Sequence, residues 1–356
     1  MNDSLAQRVW RRKGVFGRLF WMLAVPLSFF YFVGIQVRNL LYALGWLPVK
    51  SLPRAVVSVG NLTVGGTGKT PTTLWLAQEL GRRGYRVAIL SRGYGRAGEG
   101  STLLEPGLSE EGVVGQEDAG DEAIMLARIF GQRVGVGKKR YEVGNRLLGN
   151  MEVDLFLLDD GFQHRCLRRD LDLLLLGLDW NGWLLPAGPF REPKSALRRA
   201  DIYLITGARE KWESFLARCP GQAVFFGSLQ AKCLSTMEGN EWKVQPLALL
   251  GRRKIVTVCG VANPALFYHM IHDWEGEIVD AIEFPDHHRY SVRDWQRINR
   301  AARAADLIVT TEKDILKLLC FPFEREKLLA LRVEMIVENG SSLVRAVEDV
   351  IQKRQR

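Results

Sequence analysis

The residues best suited to chemistry lie in a glycine-rich turn at residues 60–70, with the sequence Gly-Asn-Leu-Thr-Val-Gly-Gly-Thr-Gly-Lys-Thr. Its glycines let successive backbone N–H groups converge on phosphate oxygens, and the start of the following helix favours anions. Lys69 can reach the β- and γ-phosphates of a nucleotide, and the hydroxyl of Thr70 can bind Mg²⁺. The predicted nucleotide contacts are Thr63, Gly65, Gly66, Thr67, Gly68, Lys69 and Thr70.

Thr63 departs from the phosphate-loop pattern G-x-x-x-x-G-K-[ST], which has glycine at this position. Threonine fits there if the backbone does not need a positive φ. The turn is closer to a Gly-Gly-x-Gly-Lys-Thr variant of the pattern. For so short a motif, an ordinary turn between a strand and a helix is the alternative.

Two pairs of acidic residues are candidates for work beside these phosphates. Asp159 and Asp160 follow the apolar run 153–158, so a buried strand would deliver a carboxylate to Mg²⁺, although an aspartate after a strand also caps helices. Asp121 and Glu122 open an amphipathic stretch, where one carboxylate could bind Mg²⁺ and the other accept a hydroxyl proton. Acids in a first helical turn also act simply as partners of the helix dipole, so spacing alone leaves both roles open.

Three further segments present basic or aromatic side chains in loops. Residues 91–96 and 185–192 are shaped by Gly and Pro and carry arginines, which bind phosphate with two parallel hydrogen bonds. The segment 284–290 contains the adjacent histidines His287 and His288, without Cys or Glu at the spacing of a metal site. A zinc site is therefore not predicted, and ordinary surface loops are the alternative for all three segments.

An α/β fold would bring these side chains to one edge of a sheet. Beyond Pro53 short β-type runs alternate with amphipathic stretches, which is typical of βαβ units and a parallel sheet. The predicted strands are 55–59, 87–90, 133–136, 153–158, 171–176 and 202–205, followed by a second series at 254–259, 277–282, 306–309 and 327–337. We expect a P-loop-type sheet with flanking helices over 51–210, an irregular connecting region over 211–253, and a smaller α/β domain over 254–356 that closes over the active site.

The first fifty residues have the composition of a membrane-associated segment. Five basic residues and one acid occur within residues 1–18, and residues 19–37 are almost wholly apolar and aromatic. Because a spanning helix needs about twenty apolar residues and Pro26, Ser28 and Gln36 interrupt this run, we expect a helix that lies in the membrane interface. A spanning helix and a core helix of a soluble domain are the alternatives. The run lacks the small-residue cleavage site of a signal peptide.

The composition indicates in which cellular compartment the protein works and which classes of partner it can bind. Apolar residues make up 47% of the 356-residue chain and charged residues 25%, as in globular proteins. The net charge of +9 suits nucleic acid, an anionic membrane face or a phosphorylated substrate, but no nucleic-acid reader motif occurs. The five scattered cysteines lack any Cys-x-x-Cys pair, which disfavours disulfides and structural zinc and predicts the reducing cytoplasm.

Taken together, these motifs resemble the tetraacyldisaccharide 4′-kinase family of lipid A biosynthesis. The matching blocks, in chain order, are residues 60–71, 91–96, 120–122, 159–164, 185–193 and 284–287. Their order and spacing agree with the family over most of the chain, including the N-terminal apolar helix. The family's phosphate loop has the same variant form at Thr63.

The resemblance implies an enzyme at the cytoplasmic face of the inner membrane. It would transfer the γ-phosphoryl group of ATP to the 4′-hydroxyl of a tetraacylated glucosamine disaccharide 1-phosphate, giving lipid IVA. Asp121 would be the general base, assisted by His287, and Lys69 would bind the phosphates. The residues that match Mg²⁺ ligands are Thr70, Glu122, Asp159 and Asp160. Those that match positions near the sugar and phosphate of the glycolipid substrate are Arg92, Tyr94, Arg140, His164 and Arg191.

The main alternative function is a membrane-recruited ATPase switch of the partitioning type, which shares the Gly-Gly-x-Gly-Lys-Thr loop. Such an ATPase usually has lysine where Val64 stands and has no use for a second α/β domain. A GTPase is disfavoured because the guanine-reading Asn-Lys-x-Asp motif is absent. Neither nucleic acid nor an obligate protein partner is expected.

Overall fold

The computed structural model describes residues 9–10, 12–93, 100–104, 119–128, 130–177, 182–207, 209, 212, 221–238, 241–261 and 263–355. The chain divides into two compact units. Unit 1 comprises Met1–Arg92, Val134–Ser228 and Ile336–Arg356, and unit 2 comprises Gly93–Arg133 and Leu229–Met335. The C-terminal helix, which we expected in the smaller domain, thus belongs to unit 1, and residues 93–133 belong to unit 2.

The described helices are α1 (Gly14–Ala43), α2 (Lys69–Arg82), α3 (Asp121–Arg128), α4 (Arg140–Asn150), α5 (Pro264–His272), α6 (Val292–Ala301), α7 (Glu312–Leu318) and α8 (Gly340–Gln355). The described strands are β1 (Ala55–Asn61), β2 (Val87–Ser91), β3 (Thr102–Leu104), β4 (Arg133–Val136), β5 (Leu155–Asp159), β6 (Leu171–Leu176), β7 (Ile202–Ile205), β8 (Ala223–Glu238), β9 (Glu241–Gln245), β10 (Lys254–Cys259), β11 (Glu277–Glu283), β12 (Leu307–Thr311) and β13 (Leu328–Val337).

Unit 1 is built on a parallel sheet in which β1 lies between β5 and β6. Every residue of these three strands is buried, as in a sheet covered on both faces. The register sets Val59 beside Asp159, so the phosphate turn after β1 and the aspartates of β5 leave the same edge of the sheet. Ligands of open α/β sheets bind at this carboxyl edge.

Helix α1 is longer than the sequence indicated and continues through Pro26. It is the one helix among the described residues that is long and apolar enough to cross a membrane by length and composition. Only 17% of its most apolar stretch is buried, and large apolar side chains such as Phe16 and Phe30 are exposed. The buried residues Gly17, Ala24, Ser28 and Ile35 lie along one side of the helix, so α1 is packed on one side only.

The strands of unit 2 follow the order β11-β10-β12-β13-β8, and β9 is antiparallel to β8. The neighbours from β11 to β13 are parallel. One face packs around Ile255 and Ile271 and the other around Val258 and Ile298, so helices cover both sides.

The region that we expected to be irregular, 211–253, contains the strand β8 and its hairpin partner β9. This part of the sequence interpretation is wrong. In β8, half-buried positions alternate with exposed ones over much of its length, so the strand lacks the continuous apolar run by which buried strands are recognised.

Candidate active site

The phosphate turn of unit 1 joins β1 to α2 with the geometry that its sequence predicted. Gly68 has a φ of 84°, a left-handed conformation that only glycine adopts freely, and it caps the N-terminus of α2. The side chain of Lys69 folds back over the turn, and its Nζ donates a hydrogen bond to the carbonyl of Gly65 at 3.3 Å. Thr63 is absent from the described residues with positive φ, which explains why threonine is accepted at a glycine position.

Gly60 lets this turn approach the aspartate motif closely. A Cβ at Gly60 would lie 2.6 Å from the Cβ of Phe162, which no real side chain allows. The amide of Gln163 donates to the carbonyl of Asn61 at 2.9 Å, and Asn61 donates to the hydroxyl of Thr67 at 2.7 Å. Sequence reasoning did not single out Asn61 or Gln163, which tie the two motifs into one site.

Asp159 lies directly beside the hydroxyl expected to bind Mg²⁺. Thr70 Oγ1 donates to Asp159 Oδ2 at 3.2 Å, and Thr73 Oγ1 donates to Asp159 Oδ1 at 3.1 Å. The aspartate is 3% exposed. A hydroxyl and a carboxylate in contact are hard oxygen donors of the kind Mg²⁺ takes in phosphoryl-transfer sites, so these residues fit the ion.

Asp160 has cationic partners instead. Arg191 Nη1 donates to both of its carboxylate oxygens, at 2.8 and 2.7 Å, and Lys69 Nζ lies 3.8 Å from Oδ1. Burial acts to raise the pKa of Asp160, but the charges of Lys69 and Arg191 outweigh it and hold that pKa below its ordinary value. Asp160 has a φ of 50°, a conformation that aspartate tolerates better than most residues.

Arg140 binds the backbone of the two aspartates. It is 2% exposed, and its guanidinium donates to the backbone carbonyls of Asp159 at 2.8 Å and Asp160 at 3.2 Å. We expected Arg140 near the glycolipid. Its contacts with these carbonyls are those of a residue that shapes the backbone, and a contact with the lipid stays a prediction.

His164 is half-buried in a positively charged environment. Burial, together with the charges of Arg140 and Arg169, lowers the pKa of His164 to about 3. The imidazole is therefore neutral at physiological pH and can act as a hydrogen-bonding group but not as a cation. Of the other expected lipid contacts, Arg92 is exposed at the end of β2, and Tyr94 lies outside the described residues.

In unit 2, the structure brings Asp121 and His287 together. Asp121 is the first residue of α3, and Nδ1 of His287 lies 3.5 Å from Oδ2 of Asp121. This is an ion-pair contact, and Nδ1 forms no hydrogen bond with the described residues. His287 has a φ of 60°, a strained conformation of the kind that concentrates at functional sites. Glu122 follows in the same helical turn of unit 2, whereas Thr70, Asp159 and Asp160 belong to unit 1.

The charges around Asp121 and His287 shift both pKa values. Burial would raise the pKa of Asp121, but the contact with His287 and the charge of Lys317 together lower it to about 2. The same contact with Asp121 raises the pKa of His287 above its ordinary value of 6.5, against the effect of burial. Asp121 is therefore ionised throughout the physiological range.

The neighbouring histidine has a different role. His288 Nε2 lies 3.1 Å from Asp294 Oδ2, and the ring stacks on Phe284 at 4.5 Å between centroids. Asp294 in turn forms a capping box with Ser291 at the start of α6. Of the two adjacent histidines, His287 is the one that contacts Asp121.

Two lysines of α7 complete this cluster and were missed by sequence reasoning. Lys317 Nζ donates to Asp121 Oδ2 at 3.1 Å, and Lys313 Nζ lies 3.4 Å from His287 Nε2. Their spacing of four residues places both on one face of the helix, which is the local signal that could have indicated them. The described residues contain no group of three or more His, Cys, Asp or Glu side chains arranged to hold a metal.

Comparisons with known proteins agree over almost the whole chain. Residues 20–352 match the family described as "LpxK: Tetraacyldisaccharide-1-P 4'-kinase". A protein named tetraacyldisaccharide 4′-kinase from Pelobacter propionicus is 37% identical over 99% of this chain and 100% of its own length. Another of the same name, from Syntrophobacter fumaroxidans, is 43% identical over 76% of this chain and 73% of its own length.

A solved structure is similar to this chain over most of its length. It is LpxK from Aquifex aeolicus, crystallised in complex with ATP. The TM-score is 0.74 at 31% sequence identity, over 92% of this chain and 98% of that one. The α/β fold with its flanking helices is therefore shared.

Proposed function

The chain belongs to the tetraacyldisaccharide-1-P 4′-kinase family, and we propose that it transfers the γ-phosphoryl group of ATP to the 4′-hydroxyl of tetraacyldisaccharide 1-phosphate, giving lipid IVA. The observation that carries the proposal is the contact between Thr70, in the first turn of α2, and the buried Asp159. Together with Lys69 and the amides of the turn, this pair has the donors that a triphosphate and its metal ion require.

On the nucleotide side, positioning and charge neutralisation do most of the work. Lys69 and the N-terminus of α2 would bind phosphate oxygens, and Asp160, itself paired with Arg191, would hold Lys69 in its place. Thr70 and Asp159 would hold Mg²⁺, which would neutralise charge on the phosphates. Glu122 remains a further proposed ligand.

On the acceptor side, Asp121 would take the proton of the hydroxyl group. A carboxylate with a pKa of about 2 is a weak base, so its first task is to orient the hydroxyl. In a loose phosphoryl-transfer transition state the proton moves late, which suits such a base. His287, with its raised pKa, is the better final holder of the proton.

Helix α1 would place the enzyme where its acceptor is found. Its exposed apolar face suits the membrane interface, and the arginines before and within its first turns would meet anionic lipid at about 1 kcal/mol each. A tetraacylated acceptor stays in the bilayer, so we propose that the enzyme works at the cytoplasmic face of the inner membrane.

The test is transfer of γ-labelled phosphate from ATP to tetraacyldisaccharide 1-phosphate in detergent micelles. The wild-type chain should label the lipid, and Asp121→Asn should lose most of the label while still binding ATP. The matched control is Asp273→Asn, which removes an exposed carboxylate of unit 2 at the end of α5. If ATP is hydrolysed at the same rate with and without lipid, and no labelled phosphate reaches the lipid, a membrane-recruited ATPase switch is favoured instead.

A further inference from the structure

Lys317 is held on three sides within unit 2. Its Nζ donates to Asp121 Oδ2 and to the carbonyl of His288, both at 3.1 Å, and lies 3.2 Å from Asp314 Oδ1. The first two contacts are hydrogen bonds, and the third is an ion pair with a buried carboxylate oxygen. The ring centroid of Tyr290 lies 5.5 Å from the same ammonium.

Asp314 makes this arrangement rigid. Its side chain is fully buried, and its Oδ2 accepts hydrogen bonds from the backbone N–H of Gly260 and the hydroxyl of Thr311, both at 2.8 Å. Thr311 also caps the N-terminus of α7, the helix that carries Asp314 and Lys317. The ammonium of Lys317 therefore pairs with a buried carboxylate whose orientation is fixed by two hydrogen bonds.

The contacts to Asp121 are unequal at its two oxygens. Both Lys317 and His287 approach Oδ2, and Oδ1 makes no polar contact with the described part of the chain. The side chain is 26% exposed, so part of this carboxylate can be reached by a ligand. A carboxylate held by one oxygen presents the other in a defined direction.

We propose that Lys317 is a positioning residue that fixes Asp121 by Oδ2, so that Oδ1 receives the proton of the acceptor hydroxyl. In this step the hydroxyl oxygen forms a bond to the γ-phosphorus, the bond from phosphorus to the β,γ-bridging oxygen breaks, and its electron pair leaves on ADP. The hydroxyl proton goes to Asp121 Oδ1. This inference rests on the proposed role of Asp121 as the base.

The first experiment compares three substitutions of Lys317. Lys317→Met removes the charge and keeps the length, Lys317→Gln removes the charge and keeps a donor, and Lys317→Arg keeps the charge. Since a small misplacement of a reacting group costs on the order of 10²-fold in rate, both neutral variants should lose roughly that much kcat for transfer. The KM for ATP should not change, and Lys317→Arg should recover part of the lost kcat.

The matched control is Lys327→Met, which removes an equal charge from unit 2. Lys327 is partly exposed, pairs with Glu324 at 2.8 Å and makes no contact with Asp121 in the described structure. Its kcat should equal that of the wild type. Thermal unfolding of each variant identifies any loss of fold, and Lys317→Gln decides the matter if Lys317→Met does not fold.

A double-mutant cycle separates positioning from a general loss of structure. If Lys317 acts through Asp121, adding Lys317→Gln to Asp121→Asn should lower kcat no further. A full additional loss in that background, or a wild-type kcat in both folded neutral variants, would overturn the inference. If Asp121→Asn alone keeps wild-type transfer, the proposed base role fails, whatever Lys317 does.

Discussion

At the scale of single residues, neighbouring side chains of one type differ in what they contact. Asp159 accepts hydrogen bonds from the hydroxyls of Thr70 and Thr73, whereas Asp160 binds Arg191 and lies near Lys69. This difference favours Asp159 as the aspartate beside Mg²⁺ and Asp160 as the partner of the phosphate-binding cations. Asp160, unlike Asp159, has a left-handed backbone conformation.

The same scale yields a prediction for pH dependence. If His287 takes the proton from Asp121, it must be neutral to do so, and protonation of the imidazole will inhibit transfer. Because its pKa is raised above 6.5, kcat should fall as the pH decreases through a value above 6.5. The measurement is kcat for transfer across the neutral range in the wild type and in His287→Gln, which should be slower and lack this acidic limb.

His288→Gln is the matched control, because His288 contacts Asp294 and not Asp121. It should retain the acidic limb of the wild type. An identical limb in His287→Gln would show that another group, such as a substrate phosphate, titrates there.

At the scale of elements, α1 is more than an apolar surface, since it supports the loop that carries Arg191. The hydroxyl of Tyr31 donates to the carbonyl of Arg191 at 3.0 Å, and Ser28 Oγ donates to the carbonyl of Leu184 at 2.9 Å. Arg38 pairs at 3.0 Å with Glu192, whose side chain is fully buried. The helix thereby helps to place the guanidinium that holds Asp160.

Removing one of these supports should therefore affect both stability and transfer. Arg38→Met leaves the buried Glu192 with Arg199, at 2.7 Å, as its remaining cationic partner among the described contacts. Losing a hydrogen bond to a charged group costs about 1.5–3 kcal/mol, and the lower end applies because Arg38 is 37% exposed. We expect a lower Tm and a reduced kcat in micelles, where membrane binding is not required.

Arg18→Met provides the comparison for this helix. Arg18 is exposed and forms no hydrogen bond or ion pair with the described residues, so the variant removes the same charge from α1 without removing a polar contact to the loop. Its Tm and its kcat in micelles should match the wild type. Equal effects of the two substitutions would mean that charge on α1, and not the contact with Glu192, matters.

At the scale of the whole molecule, α1 has an exposed apolar side. Phe16 is 78% exposed, Phe30 is 70% exposed, and further large apolar residues lie along the same helix. Exposed apolar patches of this kind mark surfaces for other molecules or membranes. Combined with the net charge of +9, the helix suits an anionic bilayer.

The double variant Phe16→Glu with Phe30→Glu should therefore bind vesicles of anionic phospholipid more weakly. Burying each phenylalanine is worth about 1.5–3 kcal/mol, so the loss should be on the order of 10²-fold or more. Vesicle co-sedimentation measures it, and ATP binding should not change. Val292→Glu is the control, because Val292 is 60% exposed but lies in unit 2 at the start of α6. Unchanged sedimentation of the double variant would exclude α1 as the contact.

Much of the fold was predictable because the signals are local. The strands β4, β6, β7 and β10 have the predicted bounds, and most of the others differ by one or two residues. Continuous apolar runs between turn residues indicate buried parallel strands. The strand β8 was missed because half-buried strands with mixed side chains carry no such run.

The sequence alone determined the phosphate turn, the acidic motifs and the apolar helix, because each depends on residue types within a short stretch of chain. Only the tertiary structure decided that His287 rather than His288 contacts Asp121, and that Asp159 rather than Asp160 contacts Thr70. It alone placed Lys317 on Asp121, across 196 positions of sequence. Such contacts depend on how strands and helices pack, and no local pattern encodes which distant side chain arrives.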